Sequence, residues 1–174
     1  MKSWIRNLSG FLLNIIKRIL LGGFKAKNKN SIYNYHQVPN LFETSGQPGK
    51  QQLKLLAKEG YEVVINLAPN SIFEGAVINE AAILESEQIE YIHIPVDFNN
   101  PTDKKFKEFV TYIDKHKNKK LWVHCAANMR VSAFVYKYRR DILKLSHDEI
   151  IGDMKAIWTP NKIWKSFLNS TTES

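Results

Sequence analysis

The stretch VHCAANMRVSAF, residues 123–134, places the single cysteine of the chain directly after a histidine, between an apolar run and an arginine. KLWVHC, residues 120–125, has the length and β-branched, aromatic character of a buried strand, and VSAFVYKYRRDILKL, residues 131–145, has helical periodicity. A strand therefore feeds a helix through a few loop residues, with Cys125 at the junction. The helix start carries the positive end of a dipole and N–H groups with no intrahelical acceptor, so the loop is a natural anion cradle.

Outward from this junction the same alternation repeats. Residues 32–38, IYNYHQV, and 41–44, LFET, read as short strands, SGQPG as a turn, and KQQLKLLAKEG as a helix ending at Gly60. YEVVINLA is a continuous apolar strand, 76–87 a helix and YIHIPV a strand. Thr102 is the N-cap of the helix DKKFKEFVTYIDKH, and two further helices, SHDEIIGDMKAIW and NKIWKSFLN, flank the break at Thr159-Pro160. Strands separated by helices imply βαβ crossovers, hence an α/β fold: one domain with a central, mostly parallel sheet flanked by helices. Trp158, Trp164 and Phe167 are expected in its core.

The chain ends in this domain, residues 31–174, but begins differently. Residues 1–42 hold seven Lys and Arg and no acid, leaving 18 cations against 17 acids for the rest of the 174 residues. A nearly neutral body argues against nucleic acid as a partner, since such domains carry a basic stripe on the folded surface. The basic excess lies instead in residues 1–30, where Trp4, Leu8, Phe11, Leu12, Ile15, Ile16, Ile19 and Leu20 form one stripe of an amphipathic helix closed by Gly22-Gly23, followed by a polar linker. Its longest uncharged run, residues 7–16, is half the ~20 residues that cross a bilayer. Residues 1–20 are therefore expected to lie on an anionic membrane surface, with packing on the domain or on a second copy as the alternative. A lone cysteine excludes an intrachain disulfide and suits a reducing compartment, so a cytoplasmic location is expected, with any membrane contact peripheral.

At the junction itself, a cysteine beside a helix N-terminus is expected to be largely thiolate, the form that acts as nucleophile. Arg130 suits two anionic oxygens bidentately, and the Ser132 hydroxyl is expected to donate to the sulfur. His124 orders the loop rather than serving as a base, while Ala126, Ala127, Asn128, Met129 and Val131 supply backbone N–H groups.

These residues resemble the signature of the protein tyrosine and dual-specificity phosphatase superfamily, which is His-Cys, five residues, Arg, then Ser or Thr. SGQP followed by a helix and EVVINLAPN resembles the opening of its bacterial dual-specificity-like branch, and HIPVDFNNPT, residues 93–102, resembles its general-acid segment. The resemblance implies hydrolysis of a phosphate monoester, on protein or small molecule, through a phosphocysteine. It implies no metal or other cofactor, and an aspartate as acid: Asp97 is the match and Asp103 the nearby alternative. The loop departs from the signature by holding four residues between Cys125 and Arg130 and no glycine. Either the loop is one residue shorter, or it keeps its length to Ser132 with Val131 in the place of the arginine. Asn128, tolerant of left-handed backbone, is expected to replace the glycine. Cys, four residues, Arg is also the spacing of many rhodanese-type sulfurtransferases. A sulfur-transferring relative and a phosphate-binding relative without turnover are the two alternatives.

Overall fold

The computed structural model describes residues 28–69 and 79–170. Five strands, β1 (His36–Gln37), β2 (Glu43–Ser45), β3 (Val63–Asn66), β4 (Glu90–His93) and β5 (Leu121–His124), form one sheet in the order β1-β2-β5-β3-β4. Only β1 is antiparallel to its neighbour. Six α-helices lie among the described residues: α1 (Lys50–Lys58), α2 (Glu80–Ser86), α3 (Asp103–Lys115), α4 (Met129–Asp141), α5 (His147–Ile157) and α6 (Lys162–Asn169).

Two apolar layers cover the sheet, and the strand period of two decides which residue enters which. Val63, Ile65, Leu121 and Val123 pack with the side chains of α3 to α6, whereas Val64 and Trp122 pack with Leu53, Leu56 and Leu84 of α1 and α2. The continuous apolar runs read from sequence are thus strands buried on both faces, as parallel sheets require. Trp158, Trp164 and Phe167 are buried as expected, around Phe134 and Phe98.

Local sequence chemistry sets most boundaries. Gly60 has φ +79° just beyond α1, Thr102 accepts from Lys105 N at the start of α3, and Ser146 with Glu149 forms a capping box on α5. The expected strand over 32–38 is shorter, because residues 32–35 turn and only His36–Gln37 pair with β2. The expected amphipathic helix lies outside the described residues. Among those described, no helix is long and apolar enough to cross a membrane.

The last residues of the polar stretch after that segment, expected as linker, are tied to the body. Lys29–Ser31 form a 3₁₀ turn, and Lys29 Nζ donates to Glu43 Oε1 and to the Tyr61 hydroxyl, both at 2.8 Å. Tyr61 precedes β3 and Glu43 opens β2, so the chain enters at the end of the sheet opposite Cys125.

Burial tends to raise the Glu43 pKa, but the donors Lys29, Tyr61 and Tyr35 outweigh it and hold the carboxyl below the ordinary 4.5. A depressed carboxylate contributes stability that is present above its unfolded pKa and lost as pH falls through the folded one. Glu43→Gln is therefore expected to lower unfolding stability by about 1–3 kcal/mol at pH near 7. The gap from wild type should narrow once the pH drops below 4.5, as measured by urea titration at several pH values.

Candidate functional site

Because the side chains of β5 alternate, the adjacent residues His124 and Cys125 enter different layers. Cys125 follows Leu121 and Val123 into the α3–α6 layer, where it is fully buried. His124 follows Trp122 toward α2, and its Nε2 lies 2.7 Å from Glu80 Oε1, with both residues buried. Ser45 O accepts from Cys125 N at 3.3 Å and His124 O accepts from Leu67 N at 2.8 Å, so β2 and β3 hold the end of β5 from both sides.

Beyond Cys125 the chain turns into α4 at Asn128, which has φ 63° and ψ 2°. This is the left-handed backbone expected of a residue replacing glycine. Asn128 makes no capping hydrogen bond to α4. Its amide instead donates to Asn34 O at 2.7 Å and Thr44 Oγ1 at 2.9 Å, pinning the loop to the segment around β1 and β2. The N-terminus of α4 is thereby left without a side-chain cap from its own N-cap residue, in the place where an anion would complement it.

A second strap comes from the SGQP turn. Gln47 N donates to Ala126 O at 3.1 Å and Gly46 N to Tyr33 O at 2.7 Å, and the Asn34 amide donates to Ala127 O at 3.0 Å. A Cβ on Gly46 would lie 2.9 Å from both Ala126 O and Tyr33 O, so only glycine lets the turn approach the loop this closely.

Of the two ways to accommodate the missing residue, the side chains adopt the shorter loop. Val131 is wholly within the core, while Arg130 turns toward the segment after β4. There its Nε donates to Val96 O at 2.8 Å and its guanidinium lies over the Phe98 ring, 5.2 Å from the centroid. Asp97, between those two contacts, is exposed and accepts from Asn99 N at 2.8 Å. Asp103 starts α3 and faces Lys137, 3.8 Å away, a lysine it shares with Asp141 at 3.1 Å. Ser132 departs from expectation. Its hydroxyl donates to Met129 O at 3.0 Å and accepts from Trp158 Nε1 at 3.1 Å, rather than donating to the sulfur. One turn inside α4, it bonds back to its own helix, as serines in helices commonly do.

Glu80 was not visible in the sequence as a site residue, because an acid in the first turn of a helix is explained by the dipole alone. Besides His124, its carboxylate meets Asn66 Nδ2 at 3.1 Å and, at the edge of bonding reach, Gln47 Nε2 and the Tyr91 hydroxyl at 3.5 Å. Burial alone would raise its pKa. Attraction to His124 and these donors overcome that and hold it below the ordinary glutamate value.

Comparison with known proteins agrees with this fold. No curated protein matches the chain significantly. Among solved structures, the DUF442 candidate phosphatase of Shewanella putrefaciens CN-32 is 32% identical, with a TM-score of 0.70 over 82% of this chain and 93% of that one. P. aeruginosa TpbA in complex with pTyr (12% identity, TM-score 0.65, 83% and 86% covered) is similar in fold. So is the core catalytic domain of the PP-IP phosphatase SIW14 from S. cerevisiae in complex with citrate (13%, 0.66, 80% and 86%). The family model described as "DSP-PTPase phosphatase fused to NAD+ Kinase" matches residues 23–162, most of the chain, so the protein belongs to that family and, through it, to the tyrosine and dual-specificity phosphatase superfamily.

Proposed function

We propose that the protein hydrolyses phosphate monoesters through Cys125. The observation that carries this reading is the conjunction at one sheet end of Cys125, the N-terminus of α4 left uncapped by Asn128, and Arg130 held against the Asp97 segment. The phosphoryl oxygens would be met by loop N–H groups and the Arg130 guanidinium, donors that stabilise charge as it develops. The Cys125 thiolate attacks phosphorus, forming the S–P bond as the P–O ester bond breaks, and Asp97 in its acid form gives its proton to the leaving oxygen. Asp97, now carboxylate, takes a proton from water whose oxygen attacks the phosphocysteine, and the S–P bond breaks to release inorganic phosphate and the thiolate. A phosphorylated protein or small molecule is the partner, in line with the pTyr bound by the similarly folded TpbA.

One observation favours a second reading, a phosphate-binding relative without turnover: Cys125 is fully buried. Hydrolysis of an aryl phosphate in the presence of a chelator, lost in Cys125→Ser and slowed in Asp97→Asn most for poor leaving groups, is the outcome expected of the enzyme. Binding of tungstate with no hydrolysis would select the second reading, and transfer of sulfane sulfur from thiosulfate to cyanide would select a rhodanese-like activity.

The strap on Ala126 bears on the same chemistry. Gly46→Ala should displace the loop while leaving the two apolar layers intact, with kcat/KM falling about 10- to 100-fold for a shift of an ångström or less. Steady-state kinetics beside the far-ultraviolet circular dichroism of the variant would check this.

The basic segment of residues 1–20 gives, on this reading, peripheral contact with an anionic membrane. Support comes from its sequence, an apolar stripe beside Lys2, Arg6, Lys17 and Arg18 with no acid before Glu43. Capture on vesicles containing phosphatidylserine should fall when Lys17 and Arg18 are replaced by Glu, at about 1 kcal/mol per charge. Equal capture on neutral vesicles would exclude an electrostatic contact.

A further inference from the structure

We propose that Glu80 is a positioning residue for the Cys125 loop, holding His124 from behind the sheet and bracing, through Gln47, the turn that straps Ala126. The inference rests on the phosphatase reading for its meaning, since a loop is worth presetting only if Cys125 reacts. It stands on geometry of its own.

Glu80 sits where four separate elements converge. Its Oε1 is 2.7 Å from His124 Nε2 on β5, and its Oε2 is 3.1 Å from Asn66 Nδ2 on β3 and 3.5 Å from both the Tyr91 hydroxyl on β4 and Gln47 Nε2 of the SGQP turn. Asn66 pairs with both His93 and His124 across the sheet, so the strand ends beneath the loop are in one register with the carboxylate. Gln47 reaches the loop from the other side, through its backbone N–H to Ala126 O. The loop is thus held at His124 and at Ala126, on both sides of Cys125, and Glu80 meets the residue at each hold, His124 directly and Gln47 through its side chain.

A buried carboxylate needs a compensating charge. Among the described residues, the titratable groups facing Glu80 are His124 and Tyr91. His93, stacked on Tyr91, has its Nε2 on Ala68 O, and Asn66 and Gln47 are neutral. The basic group that meets the carboxylate is therefore the residue next to Cys125. Removing the carboxylate takes away at once the contact of the His124 ring and the acceptor for Asn66 and Gln47, so the strand end and the SGQP turn lose their common anchor.

The single cysteine makes the test direct. Alkylation of Cys125 by iodoacetamide in the full chain is followed in wild type and Glu80→Gln, with Cys125→Ser as the blank, beside steady-state kinetics on an aryl phosphate and the amide NMR signals of His124, Ala126 and Ala127. The expected results in Glu80→Gln are displaced signals for these loop amides, an alkylation rate changed severalfold, and a loss of kcat/KM of about tenfold or more carried by kcat rather than by KM. A folded Glu80→Gln in which either the loop signals or the alkylation rate matches wild type overturns the proposal. If that variant does not fold, Gln47→Ala, which removes the side-chain contact to Glu80 and keeps the backbone N–H on Ala126, decides, because an unmoved Ala126 signal overturns it equally. Neither labelling nor NMR needs turnover, so a wild type that hydrolyses no phosphate ester yet shows both changes would refute the phosphatase reading and leave the role of Glu80 standing.

Discussion

Alternation of side chains along β5 is the constraint from which the site follows. The strand lies between β2 and β3 and is covered on both faces, so its residues have no solvent face to occupy. Odd-numbered positions go to the α3–α6 layer and even-numbered ones to the α1–α2 layer. A one-residue slip would exchange Trp122 with Val123 and put His124 among phenylalanines, and burial of the wrong set on both faces forbids it. That rigidity is what allows two neighbours in sequence to take unrelated environments, a polar shelf for His124 and the start of a loop for Cys125.

The second constraint is the burial of α4. Every residue from Arg130 to Arg139 is buried, so the helix has no polar stripe and its charged residues must be satisfied internally. Lys137 meets Asp141, Asp103 and Ser170 O, and its ammonium lies over the rings of Phe106 and Phe167; Arg139 meets Asp153, which also holds His36. These pairs link α4 to α3, α5, Ser170 at the end of α6 and β1. A helix fixed along its whole length cannot rotate to re-aim its first turn, so the direction of Arg130 is set by the core rather than by the loop.

The sequence made most of this architecture legible because its signals are local. Continuous apolar strands, Gly60 and Thr102 each act within a few residues, and the elements they bound are the ones found. Residues 32–35 were harder, since an aromatic, alternating pattern fits a strand as well as a turn whose side chains pack, and Tyr35 stacks on Trp122. The Ser132 hydroxyl and Glu80 were not legible for a different reason. Where a hydroxyl points depends on Trp158, 26 residues away in sequence, and the partners of Glu80 come from three strands and a turn, so no spacing within one segment encodes them.

The shortened loop is the point at which these constraints meet. With one residue fewer between Cys125 and Arg130, the chain must reverse from strand to helix in less length, which demands a left-handed residue; Asn128 supplies it. Asparagine also brings an amide that glycine lacks, and that amide is spent on Asn34 O and Thr44 Oγ1 instead of on capping α4. A glycine at this position would relieve the backbone and remove the anchor together. The loop is therefore held less by its own turn than by neighbours on both flanks, Asn34 and Thr44 on one, Gly46 and Gln47 on the other. A loop built in this way has few degrees of freedom left to adjust around a bound group, so its fit to an anion is decided by the packing of β1, β2 and the SGQP turn before any ligand arrives.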